Sequence, residues 1–217
     1  MPEIRVLIVD DDPLVRTALA HFVARDPVIE VIGQAEDGGQ ALAMTEHDRP
    51  DVVMMDVQMP GMDGIQATRA ISTRWPEVRV LAVTTLEGSE TVLPMLGAGA
   101  SGYLLKDSSA DAIIAGIHAV HDGASSLSPR IASMLIKHVR DGEPPADAGE
   151  LEPLTDREEQ VVQRLAQGMS NGEIARSLIV SEGTVKAHLG RVMSKWGVRD
   201  RVQILVVAAR AGLVDFR

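Results

Sequence analysis

Reactive side chains stand at the ends of short apolar runs. Asp10 and Asp11 close a run that begins at Ile4, Asp56 closes Val52–Met55, Thr84 closes Val78–Val83, and Lys106 follows Gly102–Leu105. Clustered carboxylates repel one another and cannot all ionise cheaply at short range. A hard divalent cation removes that conflict, and oxygen ligands with room for water favour magnesium. With the cation in place, one carboxylate can attack a phosphoryl group and form an acyl phosphate. A hydroxyl and an ammonium group, here Thr84 and Lys106, suit the phosphoryl oxygens. These residue types together imply phosphoryl transfer onto an aspartate, helped by a metal. Thr85, next to Thr84, offers the same hydroxyl, so residue types alone leave the choice between them open.

The runs that position these groups are Ile4–Asp10, Ile29–Gln34, Val52–Met55, Val78–Val83 and Gly102–Leu105, apolar on successive residues as in strands buried on both faces. Amphipathic stretches alternate with them: Leu14–Arg25, Gly39–Glu46, Ile65–Thr73, Glu90–Gly97 and Ala110–His121. Strict alternation predicts right-handed crossovers and a doubly wound, five-stranded parallel sheet. Sites in such sheets lie outside the carboxyl ends of the strands, where the reactive residues fall. Asp12 is read as the cap of a helix that starts at Pro13, and Asp63–Gly64 as a turn.

The chain has 217 residues, 45% hydrophobic and 24% charged, enough for one large or two small globular domains. It has no cysteine, which excludes disulfide scaffolds, thiolate metal sites and thiol nucleophiles. Aromatics are only 2%, which disfavours stacking platforms for single-stranded nucleic acid. No apolar run reaches the ~18 residues of a membrane span, and no basic-then-apolar leader opens the chain, so a cytoplasmic location without membrane contact is expected. The net charge of −10 is uneven: residues 151–217 hold ten Lys/Arg against eight Asp/Glu, leaving eleven against twenty-three in residues 1–150. The stretch 140–153, with three prolines, two glycines and five acids, reads as an exposed linker. Before it, Ser128–Val139 reads as an amphipathic helix. The expected organisation is a domain over 1–125, a linker over 126–153 and a domain over 154–217.

The second domain reads as four helices. Thr155 with Glu158 three residues on is a capping box, and that first helix stops at Gly168. Asn171 caps a short helix over Glu173–Leu178; Ser181 caps a third that carries Thr184, Val185, His188, Leu189, Val192 and Met193 at helical spacing; Arg201–Ala211 forms a fourth. Two short helices across a tight turn, the second bearing Lys186, Arg191 and Lys195, point to a helix-turn-helix. Glu182–Arg201 holds five basic and two acidic residues, an excess that suits a phosphate backbone.

The strings VLIVDDDPLVR, DVVMMDVQMPGMDG, VLAVTT and GASGYLLKD resemble, in order and spacing, the signature blocks of a two-component receiver domain. LTDREEQVVQRLAQGMSNGEIARSLIVSEGTVKAHL and KWGVRDRVQ resemble the LuxR-type DNA-binding domain. The combination resembles the NarL/FixJ family of response regulators. The resemblance implies a flavodoxin-like receiver with strand order 2-1-3-4-5. It implies Asp56 as phospho-acceptor, and Asp10, Asp11, Asp56 and the backbone carbonyl of Gln58 as magnesium ligands. By the same resemblance Thr84 and Lys106 would bind the phosphoryl group, with Thr84 and Tyr103 as switch residues. A sensor histidine kinase is the implied donor, double-stranded promoter DNA the target, and a homodimer the active form. Lys186 and Ala187 would face the major groove; Thr184, Arg191, Lys195 and Arg199 would lie nearer the backbone. Gly190 departs from members with a polar reader there, since glycine cannot read a base edge. Ile204, Val207 and Ala208 on the last helix are read as partly dimer interface and partly core. Competing readings are a phosphorylation-independent DNA-binding regulator and, from the enzyme class, a magnesium-dependent phosphohydrolase.

Overall fold

The computed structural model describes residues 4–85, 88–123, 126–127, 151–167, 169 and 171–214. The expected helix at Ser128–Val139, most of the expected linker and Gly168 lie outside them. The chain divides into two compact units, Met1–Ser128 and Pro129–Arg217.

In the first unit strands and helices alternate: β1 (Ile4–Val9), α1 (Pro13–Val23), β2 (Ile29–Ala35), α2 (Gly38–Asp48), β3 (Val52–Met55), α3 (Gly64–Arg74), β4 (Arg79–Thr84), α4 (Ser89–Gly97), β5 (Gly102–Leu105), α5 (Ala110–His121) and β6 (Ser126–Leu127). Every strand pair is parallel, in the order β2-β1-β3-β4-β5-β6. The five expected strands stand in the expected order. The sixth is not expected from the sequence: Ser126 and Leu127, at the start of the expected linker, pair with Gly102 and Tyr103. Two residues are too few to show a period.

The central strand β3 is buried along its whole length and β1 nearly so, while the edge strand β2 is mixed, which is why the central runs read as continuously apolar. Val6, Ile8, Val52, Met54, Leu81 and Val83 pack with Leu19, Val23, Ile113 and Ile117 of α1 and α5. Four helices begin on a side-chain cap: Asp12, Asp37, Asp63 and Ser109 accept from the backbone N–H of Leu14, Gln40, Gln66 and Ala112. Asp12 therefore does what the sequence implies, and Asp63 is a cap rather than only a turn former.

The second unit holds α6 (Asp156–Ala166), α7 (Asn171–Leu178), α8 (Glu182–Trp196) and α9 (Arg201–Arg210). The Thr155/Glu158 capping box and the Ser181 cap are both present. Asn171 begins its helix instead of preceding it by two residues. Val161, Leu165, Ile174, Val185, Leu189, Val192, Ile204 and Ala208 form one core. At the turn between α7 and α8, Ile179 adopts φ 57 and is 93% exposed, an uncommon conformation for a β-branched residue.

Candidate phosphoryl site and DNA-contact surface

Sheet hydrogen bonding carries one residue past the strand ends and so brings the reactive groups together. The Asp10 N–H donates to Ala35 O (3.1 Å), that of Asp56 to Val9 O (2.9 Å) and that of Lys106 to Thr84 O (2.8 Å). Asp10, Asp56 and Thr84 are buried. The Lys106 ammonium stands 2.6 Å from Asp10 Oδ2 and donates to Asp56 Oδ2 at 2.7 Å. Asp56 Oδ1 accepts from the Val57 N–H (2.7 Å), and Asp10 Oδ1 from that of Asp12 (3.0 Å). Asp10 Oδ2 has its ion pair but no well-aligned donor.

Electrostatics follow from this packing. Burial pushes the Asp10 carboxyl above the usual carboxylate range, against the opposing pull of Lys106 and the Asp12 N–H. Burial alone would lower the Lys106 ammonium, but its pairing with Asp10 and Asp56 outweighs it and holds it above the ordinary lysine range. One carboxylate oxygen each from Asp10, Asp11 and Asp56 lie within 4.8 Å of one another, with Asp11 exposed. Two buried acids, one open acid and an oxygen lacking an aligned donor fit a hard divalent cation. Gln58 is exposed between the buried Val57 and Met59.

Thr84 is the last residue of β4 and buried, whereas Thr85 is exposed. Tyr103 is fully enclosed in β5; burial first, then the charges of Asp56 and Glu90, raises its phenol far above the ordinary tyrosine range. Two glycines, Gly38 and Gly64, matter for the space beside them. A Cβ on Gly64 would lie 1.9 Å from the Asp56 carbonyl oxygen. The Gly38 N–H donates to Met62 O (3.1 Å), and a Cβ there would come within 2.7 Å of that oxygen. The loop after Asp56 is thus held against backbone at the starts of α2 and α3. A glycine followed by a helix is the only sequence trace of this.

In the second unit, α8 buries Val185, Leu189 and Val192 and exposes Lys186, Ala187 and Arg191. Thr184 is half-buried, its hydroxyl 2.9 Å from Ser181 Oγ. Beside Gly190 a Cβ would meet nothing within 4 Å, and His188 Nδ1 is 3.4 Å from Arg191 Nη1. Two expected backbone contacts are differently placed. Lys195 donates to Glu158 Oε2 and Pro153 O, both at 2.9 Å, and Arg199 is half-buried with its Nε 3.7 Å from Asp200 Oδ2. Both cations are drawn into their own unit by buried acids. On α9, Ile204 and Ala208 are fully buried in the core and only Val207 is half-exposed, so the stripe is mainly core.

Fold and site define the class as a receiver, with an acidic cluster and a lysine at the carboxyl ends of its strands, and a helix-turn-helix unit. Residues 6–118 match the response regulator receiver domain, and residues 152–208 match the luxR family of bacterial regulatory proteins. Similar proteins run the length of the chain. The transcriptional regulatory protein LnrK of Bacillus subtilis (strain 168) is 37% identical over 98% of this chain and 100% of that protein. The nitrate/nitrite response regulator protein NarP of Escherichia coli (strain K12) is 35% identical over 95% and 96%. Among solved structures, the response regulator ChrA of a heme-sensing two-component system matches with a TM-score of 0.55 and 36% identity, over 98% of this chain and 100% of that one. The chain belongs to the NarL/FixJ family of transcriptional response regulators of two-component systems. Among the described residues no helix is long and apolar enough to cross a membrane.

Proposed function

We propose that Asp56 accepts a phosphoryl group from a sensor histidine kinase and that this controls binding to promoter DNA. The observation that carries the reading is Lys106, which bridges the buried Asp10 and Asp56 across the carboxyl ends of the sheet. An oxygen of Asp56 attacks the donor phosphorus, the new O–P bond forms as the bond to the donor breaks, and the donor leaves with that electron pair. Lys106 and the Thr84 hydroxyl then face the added phosphoryl oxygens. Asp10, Asp11, Asp56 and the Gln58 carbonyl would hold Mg2+, which supplies charge neutralisation to the transferring group.

A new dianion at the strand ends favours whichever receiver state best pairs it with Thr84 and Lys106, and Tyr103 reports that shift from inside β5. We assign 1–125 to the receiver and 154–217 to the DNA-binding domain, joined by 126–153 with Ser126–Leu127 attached to the receiver sheet. Lys186 and Ala187 read the major groove, with Arg191 and Thr184 toward the backbone. Two copies bind a two-fold site as a homodimer, with Val207 available on α9 for the contact. The protein acts in the cytoplasm. Fluorescence anisotropy on duplex DNA tests the coupling: acetyl phosphate with Mg2+ should tighten binding by wild type and leave Asp56→Asn unchanged. Equal tightening of both, or of neither, would point to a receiver that does not govern DNA binding through Asp56.

A further inference from the structure

The last turn of α8 is fastened to the start of its domain. Lys195 donates to Glu158 Oε2 and to Pro153 O, both at 2.9 Å, and the Trp196 Nε1–H donates to Glu152 O at 3.1 Å. Glu158 is 2% exposed and also accepts from the Thr155 N–H (2.9 Å), so one buried carboxylate closes the α6 capping box and receives the α8 lysine. Both partners sit at favourable helix ends, an anion in the first turn of α6 and a cation in the last turn of α8. Resting on the family's DNA-binding role, we propose that Glu158, Lys195 and Trp196 are positioning residues for DNA recognition. They latch the far end of the recognition helix to the chain entering the domain, and Lys195 is not a phosphate contact.

Helix geometry shows why this matters. Lys195 lies nine residues beyond Lys186, about 14 Å along the axis and roughly half a turn around it. A tilt of ~2° about the latch would therefore move the base-facing end by ~0.5 Å, the tolerance of a preorganised contact. The bonds reach residues 152 and 153, just before α6, and residue 158 in its first turn, so displacement of this edge of the domain acts on α8 directly. The Lys195–Glu158 pair is also largely shielded, with the lysine side chain 20% and the glutamate 3% exposed, so it resists screening by salt.

The test uses the full chain, treated with acetyl phosphate and Mg2+, and two duplexes: one enriched by wild type from a random pool, and one scrambled. Lys195→Met and Glu158→Gln should each lower the preference for the enriched duplex roughly tenfold. The double variant should lose no more than either single. Affinity for the scrambled duplex, and the slope of log affinity against log salt, should stay unchanged. Trp196→Phe, which removes one N–H and keeps the packing, should give a smaller loss of the same kind while folding as wild type by circular dichroism. A slope reduced by about 0.9 in Lys195→Met would make the lysine a phosphate contact and overturn the proposal. Equal losses on both duplexes, or no loss in Trp196→Phe, would overturn it as well. Failure of wild type to enrich any duplex would instead contradict the DNA-binding reading beneath it.

Discussion

Lys106 and Lys186 carry the same charge in opposite settings. Lys106 is 15% exposed and lies between two buried carboxylates, while Lys186 stands exposed on α8. Buried charges interact strongly and keep their geometry, which phosphoryl transfer needs, but desolvating them costs stability unless each is paired. Exposed charges cost little, are screened by salt, and suit a polyanion reached across water. The receiver thus concentrates its charged cluster where water is scarce, while α8 of the DNA-binding domain presents Lys186 and Arg191 where water is plentiful. Lys195 and Arg199, in the second domain, behave like the first kind, each beside a buried acid.

The comparison can be broken most severely at the loop after Asp56. Gly64→Ala places a methyl group 1.9 Å from the Asp56 carbonyl oxygen, and backbone cannot yield there cheaply. Calorimetry should show a loss of about 3 kcal/mol, the upper range of overpacking, together with slowed phosphoryl uptake. An unchanged transition would mean that α3 slides freely past the acceptor. On the exposed helix, Lys186→Ala should cost about 1–3 kcal/mol of affinity for an enriched duplex and leave the melting temperature as it was. A variant that melts early would place Lys186 in the fold instead.

Two buried acids sharpen the contrast through pH. Asp10 has a raised carboxyl, so its ionisation opposes folding, and its penalty sets in as pH rises above the ordinary 3.8. Without metal, Asp10→Asn should therefore raise Tm at pH 7, with the gain vanishing below about pH 4. Glu158 is held down to about 2, first by the Lys195 hydrogen bond and then by the Thr155 N–H. Its contribution is complete above 4.5 and is lost as pH falls toward 2, so Glu158→Gln should lower Tm at pH 7 and converge with wild type in acid. Melts of each variant against wild type across this range check both signs; matching signs would erase the contrast. The smallest effect is a gain. Gly190 faces open space, so Gly190→Lys should add about 0.5–1 kcal/mol of helix stability and steepen the salt dependence by about 0.9. A salt slope left unchanged would mean this face lies away from the phosphates.

How far the sequence speaks depends on the range of the interaction. The strand-end acids were legible because each follows a run buried on both faces, a local signal; so were the caps at Asp12, Thr155 and Ser181. Strand β6 was not, because Ser126–Leu127 is strand only by pairing with β5. The partner of Lys195 was hidden for a similar reason: Glu158 is 37 positions away, and a basic residue on a helix looks the same whether its ammonium meets water or a carboxylate. Ile204 and Ala208 show the same ambiguity for apolar groups, since a helix stripe does not say whether its cover is its own core or a second copy. Gly64 carried its meaning in the space beside Asp56, which no periodicity records.

The central claim is that the Asp10–Lys106–Asp56 arrangement makes Asp56 a phosphoryl acceptor. Intact mass after incubation with acetyl phosphate and Mg2+ tests it most directly, with Asp56→Asn alongside. The account predicts one added phosphoryl group on wild type, none on the variant, and none when the metal is chelated. A group retained by Asp56→Asn, or no uptake by wild type in a mixture that labels another receiver, would contradict it.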